Sequence, residues 1–198
     1  MNPIERATVL HFHRRRAGQT PLQALGWRDL DSQRIRFEVL CRIGDLGGRR
    51  LVDLGCGYGD FKAYVDSRFA GSLYLGVDQS AEFIEAAQRT YRNDDRAEFT
   101  QADFLNAILP RADYLFASGS LNYRCRSRDY PFTLIGRMWD ACIRGIAFNL
   151  LDANVFAHDP ILAGQDPVAI HDYCRTLDPN AELVTGYLPD DFTILMRK

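Results

Sequence analysis

The sequence predicts an α/β fold: a doubly wound sheet of seven strands, mostly parallel, with the last strand antiparallel and a helical segment in front. Three observations carry that expectation. Apolar runs of strand length alternate five times with helical stripes, which implies parallel pairing with helices on both faces. Three glycines, Gly55, Gly57 and Gly59, follow the first of those runs, where a parallel sheet opens at its carboxyl edge. Two closing apolar runs are separated by Pro189-Asp190-Asp191, a gap short enough for a hairpin.

The elements follow in order. Residues 3–16 read as a helix, with Pro3 suited to its first turn. Gly18, Pro21 and Gly26 make residues 17–26 a loop. From Asp31 to Leu46, Ile35, Val39, Leu40, Ile43 and Leu46 form one helical face, with Asp31 or Ser32 as N-cap. Arg50–Leu54 is a short buried strand. Asp60–Phe69 is a helix with Phe61, Tyr64, Val65 and Phe69 on one side. Ser72–Val77 is the second strand, and Ser80 caps a helix carrying Phe83, Ile84, Ala87 and Tyr91. Ala97–Gln101 and Ala112–Ala117 are strands three and four. A helix over Tyr130–Ile143, a strand at Ile146–Leu150 and a helix over Pro167–Thr176 come next. Ala181–Leu188 and Phe192–Arg197 close the sheet.

Composition excludes several classes. The 198 residues include 24 Lys+Arg and 26 Asp+Glu, a net charge of −2, with 46% hydrophobic and 25% charged residues. That is a globular mixture, with no global attraction to nucleic acid or anionic membrane. Five cysteines without a C-x-x-C pair suggest neither a disulfide framework nor a zinc ribbon, and reduced thiols point to the cytoplasm. No apolar run reaches the length of a membrane span, and residues 1–16 lack the apolar core of a signal peptide. Ten arginines against five acids give residues 1–50 a charge of +5, leaving −7 for the rest. The split reads either as a solvated Arg-rich face or as a basic helical arm, residues 1–48, resting on an acidic core of residues 49–198.

The chemistry sits in Asp53-Leu54-Gly55-Cys56-Gly57-Tyr58-Gly59-Asp60. A dinucleotide fingerprint would require glycine at position 60, and Asp60 in the first helical turn would repel a pyrophosphate. Asp53 instead suits an ammonium group. The segment resembles the D-x-G-x-G-x-G signature of class I S-adenosylmethionine-dependent methyltransferases, whose cofactor carries a zwitterionic amino acid and no phosphate. By motif the resemblance spans residues 35–150, and the closing hairpin matches that family's antiparallel seventh strand.

The resemblance implies a set of cofactor residues. Gly55, Cys56, Gly57, Tyr58 and Gly59 form the bend beside Asp53. Asp78, ending the second strand, is placed on the ribose hydroxyls, with Gln79 beside it. Asp103 of Gln101-Ala102-Asp103-Phe104 is placed on the adenine amino group, with Phe104 over the base. Ser118 and Gly119 open the turn that passes the sulfonium in this family. Trp27-Arg28 and Ser32-Gln33-x-x-Arg36-Phe37 resemble an N-terminal segment of small bacterial methyltransferase-domain proteins. Arg36 is then a candidate partner for the cofactor carboxylate, or a helix-packing residue.

Methyl transfer from a sulfonium releases a neutral thioether, so positioning supplies much of the acceleration. The candidate catalytic residues at the pocket mouth are Asn122, Tyr123 and Asp129, with His11 and His13 reaching over from the arm. His11 and His13 do not share a helix face, and no metal site is expected. Arg124, Arg126 and Arg128 form either a clamp for an anionic acceptor or a solvated loop. The turn Ser118-Gly119-Ser120-Leu121-Asn122 differs from the N-P-P-Y type of DNA amino-methylating enzymes, so nucleic acid is disfavoured and a small-molecule acceptor leads. A non-catalytic cofactor-binding subunit and a nicotinamide-dependent oxidoreductase are the alternatives. The oligomeric state is not legible.

Overall fold

The computed structural model describes residues 2–15, 25, 29–127 and 129–198. Its seven strands are β1 (Arg50–Leu54), β2 (Leu73–Asp78), β3 (Ala97–Gln101), β4 (Ala112–Ser118), β5 (Cys142–Leu151), β6 (Glu182–Val184) and β7 (Asp191–Arg197). They form one sheet in the order β3-β2-β1-β4-β5-β7-β6. The first five strands pair in parallel, and β7 runs antiparallel between β5 and β6. The expected doubly wound sheet with an antiparallel last strand is what the chain adopts. Strand order reverses between β1 and β4, so a crevice opens at their carboxyl ends.

The helices that flank the sheet among the described residues include α1 (Pro3–Arg14), α2 (Leu30–Leu40), α3 (Asp60–Asp66), α4 (Ala81–Thr90), α5 (Tyr130–Ala141) and α6 (Pro167–Leu177). Alternation along the strands divides the core. On one face Leu51, Tyr74, Phe116 and Leu195 pack under Phe37 and Leu40 of α2, Phe61 of α3 and Ile84 of α4. On the other, Val52, Leu54, Leu115 and Phe148 pack under Leu134 and Met138 of α5 and Ile170 of α6. Phe116 stacks edge-on against Phe61 at 4.9 Å, which fixes α3 behind the glycine bend. Lys62 of α3 is fully buried and held by two carboxylates, Asp66 and, at 2.7 Å, Asp94. No described helix is long and apolar enough to cross a membrane.

Several boundaries differ from the sequence reading. Asp29, not Asp31 or Ser32, caps α2, its carboxylate accepting from the Ser32 amide at 2.6 Å. The helix stops at Leu40 and tightens into a single 3₁₀ turn, Cys41–Ile43, before Gly44. α3 ends at Asp66. α5 ends at Ala141 because Cys142 turns extended and pairs with Ala112, so β5 begins four residues earlier than expected. β6 is only three residues long: Gly186 takes a positive φ of 79°, and the Tyr187 hydroxyl folds inward to Asp191 and Thr193. The expected loop 17–26 lies outside the described residues except for Leu25.

Gly145 of β5 lies opposite Arg197 of β7, and a Cβ there would collide with the Met196 carbonyl oxygen. Gly145→Ala should therefore destabilise the fold by about 1–3 kcal/mol, the usual scale of forced overpacking. At about 2–4 °C per kcal/mol for a chain of this size, thermal unfolding should show a clear drop in Tm.

Candidate functional site

The bend after β1 is built by backbone geometry. The Val77 carbonyl, at the end of β2, accepts from both the Gly55 amide (2.7 Å) and the Cys56 amide (3.2 Å). Gly55, Gly57 and Gly59 then take φ values of 82°, 54° and 84°, which only glycine adopts without strain. A Cβ on Gly55 would also collide with Ser120, whose hydroxyl donates to the Leu54 carbonyl at 2.5 Å. The turn after β4 therefore packs directly on the turn after β1.

Asp78 joins this bend to α4. One carboxylate oxygen accepts from the Gly57 amide at 3.0 Å and the other from the Ser80 amide at 2.9 Å. Ser80 still caps α4 through the Phe83 amide, as its sequence position predicts. Burial raises the Asp78 carboxyl above its ordinary range, and the two amides pull it back. Asp53 is more extreme. It is 2% exposed; one oxygen accepts from the Tyr74 hydroxyl at 2.5 Å, and its Oδ1 has no partner among the described residues. Burial pushes its carboxyl up to about 7, against the Tyr74 hydrogen bond and with help from Asp78 and Asp60. Asp60, accepting from the Gln33 amide nitrogen at 3.0 Å, is raised by burial too.

These groups face a cavity of about 320 Å³. Of the residues placed on the cofactor by sequence, Arg36, Asp53, Gly55, Cys56, Gly57, Asp78, Gln79, Phe104, Ser118 and Gly119 line it. Three others do not. Tyr58 turns away to pack on Phe83, ring centroids 4.7 Å apart. Gly59 faces the core, where a Cβ would lie 2.8 Å from Tyr91 and 3.0 Å from Phe99. Asp103 is engaged by Arg6 of α1 at 3.1 Å, by the Asn106 amide group and by the Leu105 amide.

The catalytic candidates separate in the same way. Asn122 and Tyr123 line the cavity; the Asn122 side chain accepts from the Leu151 amide at 3.0 Å. Asp129 is exposed at the start of α5, outside the lining. Arg124 corrects the clamp expectation: its guanidinium donates to the Asp159 and Leu162 carbonyls. Arg126 is exposed, its backbone amide bound to Glu5, and Arg128 lies outside the described residues. His11 is exposed on α1, whereas His13 is buried, lines the cavity and bonds the Tyr123 hydroxyl at 2.6 Å.

Arg36 belongs to a polar chain that sequence reasoning missed. Its guanidinium pairs with Asp191, which accepts from Tyr187 at 3.0 Å. Tyr187 bonds Thr193, Thr193 bonds Asn149, and Asn149 accepts from Ser118 at 2.9 Å. Both ends of the chain, Arg36 and Ser118, line the cavity. The Asp191 carboxyl is raised to about 6 by burial, although Arg36 and Tyr187 oppose the shift. Gln33 and Asp60 also line the cavity. The sequence signal for them was their place beside Arg36 and the third glycine.

Comparison with known proteins accords with this geometry. A family model described as a methyltransferase domain matches residues 51–139. "Putative methyltransferase Rv1506c" of Mycobacterium tuberculosis is 35% identical over 156 residues, covering 74% of this chain and 91% of that protein. A trans-aconitate 2-methyltransferase of Paracidovorax citrulli is 33% identical over 103 residues, 49% of this chain but only 38% of that protein. Among solved structures, a DhpI-SAM-HEP complex superposes with a TM-score of 0.76 at 17% identity over the whole of both chains. Magnesium protoporphyrin IX methyltransferase from Synechocystis PCC 6803, with bound SAH, gives 0.69 at 13% identity over 97% of this chain and 99% of that one. At such identities the structural likeness speaks for the fold, and the 35% relative for the family: the chain belongs to the class I S-adenosylmethionine-dependent methyltransferases.

Proposed function

We propose that this methyltransferase holds S-adenosylmethionine in the cavity at the glycine bend and transfers its methyl group to a small-molecule acceptor. The observation that carries the assignment is Asp53, a buried residue of the cavity lining whose Oδ1 has no partner among the described residues. A buried carboxylate oxygen left so is costly unless a ligand donor reaches it. Asp53, Asp60 and Asp78 make the floor acidic, which fits a cofactor bearing an ammonium and a sulfonium.

In this reading Asp53 meets the ammonium and Asp78 the ribose hydroxyls. The backbone of Gly55, Cys56, Gly57 and Gly119 follows the cofactor closely. Gln79 and Phe104 border the base, and Arg36, steadied by Asp191, faces the carboxylate. S-adenosylmethionine supplies an electrophilic methyl group on sulfur. The chain's own work is to align the acceptor, at about 3–3.5 Å from the methyl carbon, and to exclude water. α1 serves as the lid, contributing Val9, Leu10, Phe12 and His13 to the cavity wall.

The cavity volume of about 320 Å³ favours a small acceptor over a polymer. Arg36 is the one arginine or lysine among the described lining residues, and Asp191 neutralises it. The partial likeness to trans-aconitate 2-methyltransferases supports a second reading, a small organic acid. Family membership displaces the nicotinamide alternative.

Two measurements check the site. Asp78→Ala should weaken S-adenosylhomocysteine binding by about 1.5–3 kcal/mol, the scale of hydrogen bonds to a charged group, as read by titration calorimetry. Unchanged affinity would remove Asp78 from the site. The Asp53 carboxyl, at about 7 in the free protein, must lose its proton to receive an ammonium. Cofactor affinity should therefore rise with pH between 6 and 8, with proton release on binding, and Asp53→Asn should flatten the rise.

A further inference from the structure

We infer that Tyr123 and His13 form a proton-accepting pair, so that the acceptor of this site is a hydroxyl group on an apolar, ring-bearing molecule. The inference rests on the methyl-transfer reading of the cavity. Tyr123 Oη and His13 Nε2 are 2.6 Å apart, and both residues line the cavity although 110 positions separate them in the chain. Phe12, Phe156 and Leu162 line the same cavity and offer apolar surface to a ring.

The pair is held firmly. The Tyr123 backbone bridges Leu162, and the next amide, of Arg124, donates to the Ile161 carbonyl at 2.7 Å. The His13 ring stands edge-on to Phe83, Phe12 and Tyr123, centroids 5.2, 5.3 and 5.8 Å away. Among the described residues, the charged groups on the elements packed around it include Asp78 at the end of β2, the Arg14–Glu82 pair between α1 and α4, and Asp159 in the segment after β5. His13 lies close enough to Asp78 to pull that carboxyl downward.

A neutral hydroxyl must shed its proton as its oxygen is methylated. The acceptor O–H bond breaks and the O–CH₃ bond forms. The S–CH₃ electron pair returns to sulfur, leaving a neutral thioether. The acceptor proton passes to Tyr123 Oη while the Tyr123 proton moves to His13 Nε2. Tyr123 is thus the catalytic residue and His13 its proton acceptor.

A purely mechanical role, fastening α1, is served elsewhere. Glu5 binds the Arg126 amide at 2.8 Å and the Cys125 thiol at 3.3 Å, and Arg6 binds Asp103; these contacts are exposed or part-buried, at the edge of the helix. Glu5→Ala is accordingly the control for a loosened lid.

4-Nitrophenol tests the inference, because its ionised form has its own visible absorption. Bound to the protein loaded with S-adenosylhomocysteine, it should stay ionised at a pH where the free compound is neutral. Tyr123→Phe and His13→Gln should lose that effect while still binding S-adenosylhomocysteine, and Glu5→Ala should keep it. In turnover, both variants should lose about 100-fold or more on unsubstituted phenol, the low end of general-base contributions, and far less on the already ionised nitrophenol. The inference is overturned if the probe does not bind, if its ionisation is the same in all proteins, or if both phenols lose activity equally. Failure of the wild type to bind S-adenosylhomocysteine would instead remove the cofactor site on which the inference stands.

Discussion

The Asp78 carboxylate ties together the two turns on which the rest of the site is built. By accepting from Gly57 on one side and Ser80 on the other, it locks the glycine bend to the start of α4. The Val77 carbonyl completes the joint through Gly55 and Cys56. Packing of Ser120 against Gly55 extends it to β4. Three strand ends are thereby held in one arrangement before any ligand arrives, which is what a positioning enzyme needs.

That arrangement costs stability. Asp53, Asp60 and Asp78 are buried near one another, and each carboxyl is raised. For Asp53 the sign is clear. A raised folded pKa contributes stability that is fully present below the unfolded value of about 4 and lost as pH rises through the folded one near 7. At neutral pH the free protein therefore carries a strained acidic floor, and a cationic ligand relieves it. The site's affinity and the fold's weakness share one origin.

The sheet was legible because its signals are local. The strand–helix alternations and the Gly-x-Gly-x-Gly bend act within a few residues and appear where expected, whereas the closing hairpin forms with a shorter β6 and with Asp191 already in β7. Asp53, Gly57 and Asp78 were legible for the same reason, since strand ends fix where they face. Failures arose where distant contacts decide. Asp103 is drawn to Arg6 and Arg124 to two carbonyls after β5, while Gly59 faces inward because Tyr91 and Phe99 close over it. The pairing of His13 with Tyr123 and the path from Arg36 to Ser118 join segments far apart in the chain, and no spacing rule reports them.

The place of β7 between β5 and β6 has a consequence for biogenesis. β6 hydrogen-bonds to the sheet only through a strand that is synthesised after it. Until β7 docks, the edge of β5 stays open, β6 has no strand to pair with, and Arg36 lacks Asp191. In a chain emerging from the ribosome, β1, β2 and β4 all precede the strand that supplies Asp191, so the Arg36–Asp191 pair can close only after those three are made.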